Sequence, residues 1–564
     1  MMKKYVMAIS MLVALPIAAQ ETYENANIVT EDLNGTARYV GMGGAMDALG
    51  ADLSTIASNP AGLGLFRSSQ IAATAGMSMQ QDAKDFHNAS KAHANFDQIG
   101  FVWSSQKSRK SFVNLAFNYH KSRDFNYILT AAQNTLAQHA SQNALSYIKA
   151  VGDPVIAKDE NGNIIKDENG NPLSESTIAI LRPQDKYGNY YGDYYGDFYW
   201  TSQIDNLYYN AFIMGDGGAG FNMADGYLMN RANKGYIGEY DFSISGNIND
   251  RVYLGLTFGL QDVHYKGYSE YTENLVTGVG NTSVGSLTVS DERKITGTGY
   301  NVKAGVIFRP IEDSPFRFGL SFASPTFYDL TTSNNTYLIN NTNLDGYNKN
   351  YEAYDSYNFR LNSPMKFGVS VGHTVGNFLA LGAVYEYADY GATNPRVKDG
   401  DYYDWDYEMY YSSSSKDAVM KDHTEATLKG VSTLKVGLEF KPIPEVAFRA
   451  GYNYVSPMYN SNGFKDVYLD SYGTNVASAT DYTNWKSTNR LTLGVGYSYG
   501  KFFADLAYQY SMQKGDFYPF MDAYVDDYIV VDRSQIVDEI DNYATKTEVE
   551  NNRHQFMLTL GYRF

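Results

Sequence analysis

Nine charged side chains lie on one face of the β-strands that the sequence predicts, where they could bind a charged ligand. Each alternates with apolar neighbours, so it faces away from the apolar side of its strand. They are Lys303, Arg309, Arg317, Lys366, Lys435, Glu439, Arg449, Asp505 and Arg563. A cation in a partly dry cavity needs an anionic partner, and a ligand carboxylate would provide one.

Four of these cations are our predicted ligand-binding residues: Arg309, Arg317, Lys435 and Arg449. The alternative is that they pair with neighbouring acids or with acids of the segment that precedes the strands. Charged side chains commonly line the interior of membrane β-barrels, so such pairs would need no ligand if these strands form a barrel.

The eight histidines show no metal-ligand spacing, and no nucleophile, histidine and acid form a recognisable catalytic pattern. The sequence therefore predicts no metal site, no resident cofactor and no enzymatic activity.

Composition restricts the class of protein further. The net charge of −17 argues against a nucleic-acid partner, because phosphate binding needs a basic patch. With no cysteine, hydrogen bonds and packing alone must hold the fold. The 51 Tyr and 29 Phe residues suit the aromatic girdles of a membrane barrel, and the 50 Gly suit tight turns and close backbone approaches.

The first residues have the features of an export signal. Lys3 and Lys4 precede an apolar run, and the small pair Ala18-Ala19 follows it. The run is too short for a membrane-spanning helix, so we predict a signal peptide over residues 1–19 with cleavage after Ala19.

The elements that must position the charged residues are strands, which two-residue alternation predicts. Fourteen are predicted, near residues 69–80, 96–105, 111–120, 235–247, 251–265, 293–309, 316–327, 363–374, 378–390, 429–441, 446–456, 489–499, 502–513 and 553–564. The last strand ends the chain on Tyr562 and Phe564, which share its apolar face. We predict these two aromatics as an assembly signal for the barrel assembly machinery.

Link lengths between these strands alternate between short and long without exception. Outer-membrane barrels have short periplasmic turns and long extracellular loops, which a soluble β-sandwich or propeller does not need. The sequence thus predicts an all-β protein, a fourteen-stranded antiparallel transmembrane β-barrel over residues 69–564, in the outer membrane of a Gram-negative bacterium and in contact with its lipid.

The longest predicted extracellular loop covers residues 121–234. Apolar residues from Ile128 to Ile148 recur at helical spacing and predict an amphipathic helix. Two copies of Lys-Asp-Glu-Asn-Gly-Asn, at 158–163 and 166–171, predict hairpin turns, with a calcium site as the alternative. Residues 187–200 could present an aromatic binding surface or pack within the loop.

Residues 20–68 precede the barrel and are rich in small side chains. Such a segment can pack closely against other backbone, and a fourteen-stranded barrel has a lumen wide enough to hold it. We predict an N-terminal hatch inside the lumen; a periplasmic tether is the alternative.

Several stretches together resemble the FadL/TodX family of outer-membrane transporters for hydrophobic compounds. They are Gly41-Met42-Gly43-Gly44-Ala45, Asp52 with Asn59-Pro60-Ala61-Gly62, residues 318–325, and Phe448-Arg449-Ala450-Gly451-Tyr452. The resemblance spans roughly residues 35–564 and implies a fourteen-stranded barrel plugged by an N-terminal hatch.

The same resemblance implies passive uptake of hydrophobic or amphipathic molecules similar to long-chain fatty acids, through a largely apolar lumen site. Hatch movement would gate the channel at Asn59, Pro60, Ala61 and Gly62, together with Gly41, Gly43 and Gly44. In the best-known members of the family release is sideways beside a distorted strand, and for this chain sideways and periplasmic release both stay open. Two alternatives stay open: a haem receptor using His87 or His93, and a porin for polar solutes.

Overall fold

A computed structural model describes residues 21–136, 140–151, 154–156, 174–176, 202–210, 222–276, 282–343, 350–405, 407, 409–467, 469, 471, 477–525, 529–532, 535–537 and 540–564. The predicted signal peptide, both copies of the repeat and residues 187–200 lie outside the described residues.

Fourteen antiparallel strands form one closed barrel, as predicted. They are β1 (Gln70–Gln80), β2 (Ala92–Ser108), β3 (Ser111–Asp124, continued by Tyr127–Gln133), β4 (Met223–Ile248), β5 (Val252–Val276), β6 (Ser283–Phe308), β7 (Arg317–Ala323 and Phe327–Thr342), β8 (Tyr351–Asn362 and Lys366–Val375), β9 (Leu379–Asp389 and Asn394–Asp404), β10 (Met409–Lys416 and Gly430–Ile443), β11 (Val446–Val455), β12 (Tyr482–Tyr499), β13 (Phe502–Tyr518) and β14 (Thr547–Glu550 and Arg553–Arg563). Each strand pairs with the next, and β14 closes the barrel on β1 through Thr559 opposite Thr74. Among the described residues, three short strand pairs lie outside the barrel.

An apolar belt surrounds the barrel. Along β5, Leu254, Leu256, Phe258 and Leu260 are all exposed, while the residues between them face the lumen. Exposed aromatics border the belt, with Trp103, Phe308, Tyr499 and Phe502 toward the periplasmic turns and Phe96, Tyr240, Tyr300 and Tyr387 toward the extracellular side. A belt of this kind is stable only against lipid, so the barrel spans a membrane of the outer-membrane type.

Several strands continue beyond the predicted ends on the extracellular side. Residues 266–292 were expected to form a loop, yet β5 runs to Val276 and β6 starts at Ser283. Beyond the apolar belt, apolar and polar residues no longer alternate strictly along these strands, while backbone pairing continues, as at Lys266 opposite Lys294.

Six described helices accompany the barrel: α1 (Thr22–Val29), α2 (Ala37–Gly41), α3 (Thr55–Ser58), α4 (Gln142–Val151), α5 (Gln203–Asn210) and α6 (Ala418–Thr427). The prediction of an amphipathic helix that begins at Ile128 is wrong for the first part of that range. Ile128 and Leu129 belong to the extension of β3 and pair with Ala232 and Arg231 of β4, and the helix begins only at Gln142. Within the described part of the chain, no helix is both long and apolar enough to span a membrane.

The largest buried apolar cluster lies at the extracellular end of the barrel. It joins the extension of β3, helices α4 and α5 and the upper ends of β4 to β7 and β13, and includes Leu129, Leu145, Leu207, Tyr227, Leu287, Phe517 and Phe520. We call this cluster the cap. The cap therefore has a core of its own, separate from the lumen below it.

Prolines interrupt both β7 and β8 at the same height, but these kinks are sealed. Proline has no N–H for the ladder, so bonds are lost at Pro325 and Pro364. Ser324 Oγ accepts a hydrogen bond from Val302 N (2.9 Å), and Ser363 Oγ accepts one from Thr326 N (2.8 Å). The serine side chains thus replace the missing backbone contacts between neighbouring strands.

Candidate functional site

A row of glycines lines one side of the lumen near its periplasmic end. Gly372, Gly382, Gly437 and Gly451 lie on β8, β9, β10 and β11, and each is paired directly with the next. Without side chains, these four positions leave a shallow groove across the barrel wall. We call them the glycine row.

The N-terminal segment, residues 21–68, packs its backbone into this groove. A Cβ on Gly437 would lie 2.2 Å from Met42 O, and one on Gly382 would lie 2.0 Å from Ala45 O. Contacts this short are impossible, so glycine is required at both positions. The segment makes its own close turns with Gly43 (φ +64°) and Gly44 (φ +79°), in the left-handed region that glycine tolerates.

The predicted gating residues meet a different part of the wall. Asn59 accepts a hydrogen bond from Ala61 N (3.1 Å) and starts a 3-10 helix over Pro60–Leu65. A Cβ on Gly255 would lie 2.2 Å from Pro60 C, and one on Gly305 would lie 1.9 Å from Asn59 Oδ1. This stretch, Gly62 included, therefore lies against β5 and β6, and its gating role stays a prediction.

The four predicted ligand-binding cations have protein partners. Arg449 contacts Glu439 (2.7 Å) and Asp505 (2.6 Å), and Lys435 contacts Glu386 (2.6 Å). Arg317 donates to Leu49 O of the N-terminal segment (3.0 Å), and Arg309 donates to the carbonyls of the turn that precedes β7. Of the four, Lys435 alone lines the main cavity, so the structure does not bring the set together around one site.

A cavity of about 420 Å³ lies between the N-terminal segment and the cap. Its wall combines aromatic and charged side chains, including Tyr23, Tyr127, Tyr459, Tyr482, Trp485, Arg123, Arg231, Arg293, Lys366, Lys465, Asp124 and Asp481. The largely apolar lumen site that the family resemblance implied is therefore not what this chain builds. A mixed wall of this kind suits a molecule with both an apolar body and polar groups.

Sequence reasoning missed a set of ion pairs between the N-terminal segment and the cavity wall. Each acid of residues 21–32 pairs with a different cation of the cavity wall: Glu21 with Lys465, Glu24 with Arg293, Glu31 with Lys366, and Asp32 with Arg123 at 3.0 Å. The available signal was composition, because this stretch carries four acids and no base. Burial by itself raises the pKa of Glu31, but the ion pair with Lys366 outweighs burial and lowers it.

Asp47 of the N-terminal segment is buried and incompletely satisfied. Its Oδ1 accepts from Ser58 Oγ (2.6 Å), while Oδ2 has no hydrogen-bond partner among the described residues. Burial raises the pKa of Asp47 from 3.8 to about 6; Lys435 opposes the rise and Glu386 adds to it. The folded protein thus binds a proton at Asp47 more tightly than an unfolded segment would.

This pKa predicts weaker docking of the N-terminal segment as pH rises. Because the folded pKa is raised, the stabilisation is complete below pH 3.8 and is lost as pH rises through about 6. Asp47→Asn should stabilise docking at pH 8 by about 2 kcal/mol and remove the dependence between pH 5 and 8. Urea-dependent thiol labelling of Ala37→Cys, a buried position in a chain without native cysteine, measures docking. An unchanged pH dependence in Asp47→Asn would contradict the assignment.

Strands β2 and β3 separate toward the extracellular side. Their backbone pairing stops at Gln98 opposite His120, although β2 continues outward to Ala92 and β3 to Asp124. Side chains bridge the gap: Lys121 Nζ donates to Asn95 Oδ1 (2.8 Å), and His93 Nε2 lies 3.0 Å from Asp124 Oδ2. We call this gap the seam.

The N-terminal segment fills the inner side of the seam. Asp32 N donates to Ser122 O (2.8 Å), taking the position of a β2 backbone donor. Asn34 Nδ2 reaches both sides, donating to Asp97 Oδ1 on β2 (3.1 Å) and to Lys121 O on β3 (3.0 Å). Asn34, Asp97 and Ser122 also line the cavity, so the seam and the cavity share a wall.

One buried cluster has donors suited to a metal ion. Among the described residues, His120, Glu239 and Asp241 have ligand atoms within 4.8 Å of one another, although they are far apart in sequence. Lys303 Nζ lies 2.7 Å from Glu239 and 3.1 Å from Asp241, so an internal cation already pairs with both carboxylates.

The other residues singled out by sequence lie at the barrel ends. His87 stacks on Tyr268 (3.8 Å between ring centroids), and the His93 ring is engaged by Asp124 across the seam. At the C-terminus, Phe564 N donates to Ser69 O (3.0 Å), and Phe564 is exposed beside Tyr562. The role of Tyr562 and Phe564 in assembly stays a prediction.

The closed barrel, the lipid-facing belt and the segment packed in the lumen define a transmembrane β-barrel with an occupied interior. Similar solved structures include a Pseudomonas aeruginosa FadL homologue (11% identity, 95% of this chain and 99% of that chain, TM-score 0.47). The Ralstonia pickettii toluene transporter TbuX is also similar (11%, 94% and 99%, TM-score 0.44), as is the P. putida toluene transporter TodX (11%, 94% and 99%, TM-score 0.43). No protein-family model and no curated protein matches the sequence.

These alignments name the same FadL/TodX group that the sequence motifs resemble. With identities near 11% and TM-scores below 0.5, we take no residue role and no substrate from them. The fold described above rests on the strand pairing of this chain alone.

Proposed function

We propose that this protein is an outer-membrane channel for passive uptake of amphipathic small molecules, with the N-terminal segment acting as its hatch. The observation that carries the proposal is a cavity with aromatic and charged walls, which lies between the cap and the N-terminal segment. An amphipathic solute could place its apolar part against the aromatic residues and its polar group against the charged ones.

The packing of the hatch supports gating rather than free diffusion. The glycine row receives its backbone on one wall, while Gly255 and Gly305 receive Pro60 and Asn59 on another. A solute that reaches the cavity therefore cannot continue to the periplasmic end unless the hatch moves.

Sideways release through the seam completes the proposed route. Among the described residues, side chains and hatch residues 32–34 close the seam, whereas the kinks of β7 and β8 are sealed by serine hydrogen bonds. Withdrawal of Asp32 and Asn34 would open the cavity wall at the extracellular border of the apolar belt, beside Phe96, which favours solutes that partition into a membrane.

Two measurements distinguish this channel from an open porin. We expect cells carrying the protein to take up a fluorescent fatty acid faster than cells lacking it, without an energy source, because no step consumes energy. Liposomes containing the intact protein should not swell in sugar solutions, because the hatch blocks the lumen. Sugar-driven swelling at the rate of an open porin would contradict the proposal, and so would uptake that stops when cells are de-energised.

A further inference from the structure

Helix α1 places an aromatic ring inside an aromatic slot of the barrel. The Tyr23 ring stacks on Tyr459 (centroids 5.1 Å apart, planes 12° apart) and leans against Tyr482 (5.1 Å, 47°). Its hydroxyl donates to Asn484 Oδ1 (2.8 Å), so both the ring and the polar end of Tyr23 are recognised. Tyr459 and Tyr482 are themselves buried, which gives the slot fixed walls.

Cations that line the cavity hold the acids on either side of this ring. Glu21 contacts Lys465 and Glu24 contacts Arg293. The side chains of Lys465 and Arg293 are 8% and 10% exposed, and a cation so deeply buried needs an anionic partner. Without α1, the wall would present an aromatic slot beside two buried cations that have each lost one acid. Lys465 would keep Ala479 O as a partner, and Arg293 would keep Ser478 Oγ and Asp291.

We infer that α1 is a built-in stand-in for the ligand, and that the ligand class is an aromatic ring carrying a carboxylate. Such a molecule can stack between Tyr459 and Tyr482 as Tyr23 does and can neutralise Arg293 as Glu24 does. It competes with α1 for the slot, and binding releases the first part of the hatch. This inference rests on the proposed function only in placing the ligand in the uptake cavity.

Removing a side chain that occupies the ligand site should strengthen ligand binding, whereas removing a side chain that contacts the ligand should weaken it. The tethered Tyr23 competes at a high effective concentration, so the free ligand binds only to the fraction of protein whose slot is empty. Tyr23→Ala should therefore tighten ligand binding, by roughly tenfold if the stacking contacts of Tyr23 are lost. A residue that formed part of the ligand site would weaken binding when removed.

The test measures binding to the purified full-length protein in detergent by calorimetry, with 4-hydroxyphenylacetate as the probe. We expect tighter binding in Tyr23→Ala and much weaker binding in Tyr482→Ala. Tyr265→Ala is the matched control, because Tyr265 lines the same cavity but packs on Phe125 instead of Tyr23, and it should not tighten binding. Phenol and cyclohexylacetate, which lack the carboxylate and the aromatic ring respectively, should bind more weakly than the probe.

Release of α1 is measured separately by thiol labelling. Ala26 in α1 and Ala61 in the deeper hatch are both fully buried, so Ala26→Cys should label faster when the probe is added, while Ala61→Cys should not. Unchanged or weaker binding in Tyr23→Ala, or equal binding of cyclohexylacetate, would overturn the inference. Probe binding without any transport would count against the proposed function alone, and fatty-acid uptake without probe binding would count against this inference alone.

Discussion

Gly382→Ala combined with Gly437→Ala should convert the closed channel into one that conducts ions freely. Each new Cβ would lie within about 2.2 Å of a backbone oxygen of the N-terminal segment, and backbone cannot move aside as a side-chain end can. Overpacking of this kind costs about 1–3 kcal/mol per site, and the two sites are direct cross-strand partners, so their effects will not simply add. Single-channel conductance in planar bilayers measures the result.

Gly368→Ala provides the matched control for this experiment. Gly368 also faces the lumen from β8, but the nearest atom to its added Cβ is Ser321 Oγ, a side-chain hydroxyl that can rotate away. Conductance should stay at the level of the unmodified protein. If the double variant still does not conduct although a heat-modifiability gel shows an intact barrel, the glycine row does not hold the N-terminal segment in place.

The strands within the membrane could be predicted because lipid imposes a strict rule on them. Leu254, Leu256, Phe258 and Leu260 of β5 must all face lipid, so alternation identifies the strand. Beyond the membrane the rule lapses, and the extension of β3 at Ile128 and Leu129 imitates helical spacing while pairing as a strand with β4. Periodicity cannot distinguish a helix from a strand whose two faces are both buried, because alternation is strict only where one face meets lipid.

The candidate site was harder to predict because its contacts join distant parts of the chain. Glu24 meets Arg293, and Tyr23 meets Tyr459, across separations that no local spacing encodes. The glycine row did leave a signal: Gly382 and Gly437 both lie on the lumen face of strands whose alternation is clear. Aligning the predicted strands by register would have placed these glycines side by side.

Locking the seam should abolish uptake of amphipathic solutes while leaving the hatch closed. Asn95→Cys and Lys121→Cys replace two side chains that meet at 2.8 Å across the seam, and a short bis-thiosulfonate reagent can link them. Since no backbone ladder joins β2 and β3 at this height, the link would hold the two strands together where side chains alone bridge them now. Energy-independent uptake of a fluorescent fatty acid should fall to background and recover when a reductant removes the link.

A control cross-link between two strands that are already hydrogen-bonded shows whether loss of uptake comes from closing the seam or from the cross-linking itself. Gln509 and Gln555 meet at 3.2 Å on β13 and β14, whose backbones are hydrogen-bonded at this point, so linking Gln509→Cys to Gln555→Cys should leave uptake unchanged. Full uptake through the linked seam would exclude it as the exit and direct the search to the periplasmic end, where Pro60 and Ala61 lie against β5. Loss of uptake at the seam alone, restored by reductant, requires the solute to pass between β2 and β3, because no other contact has been altered.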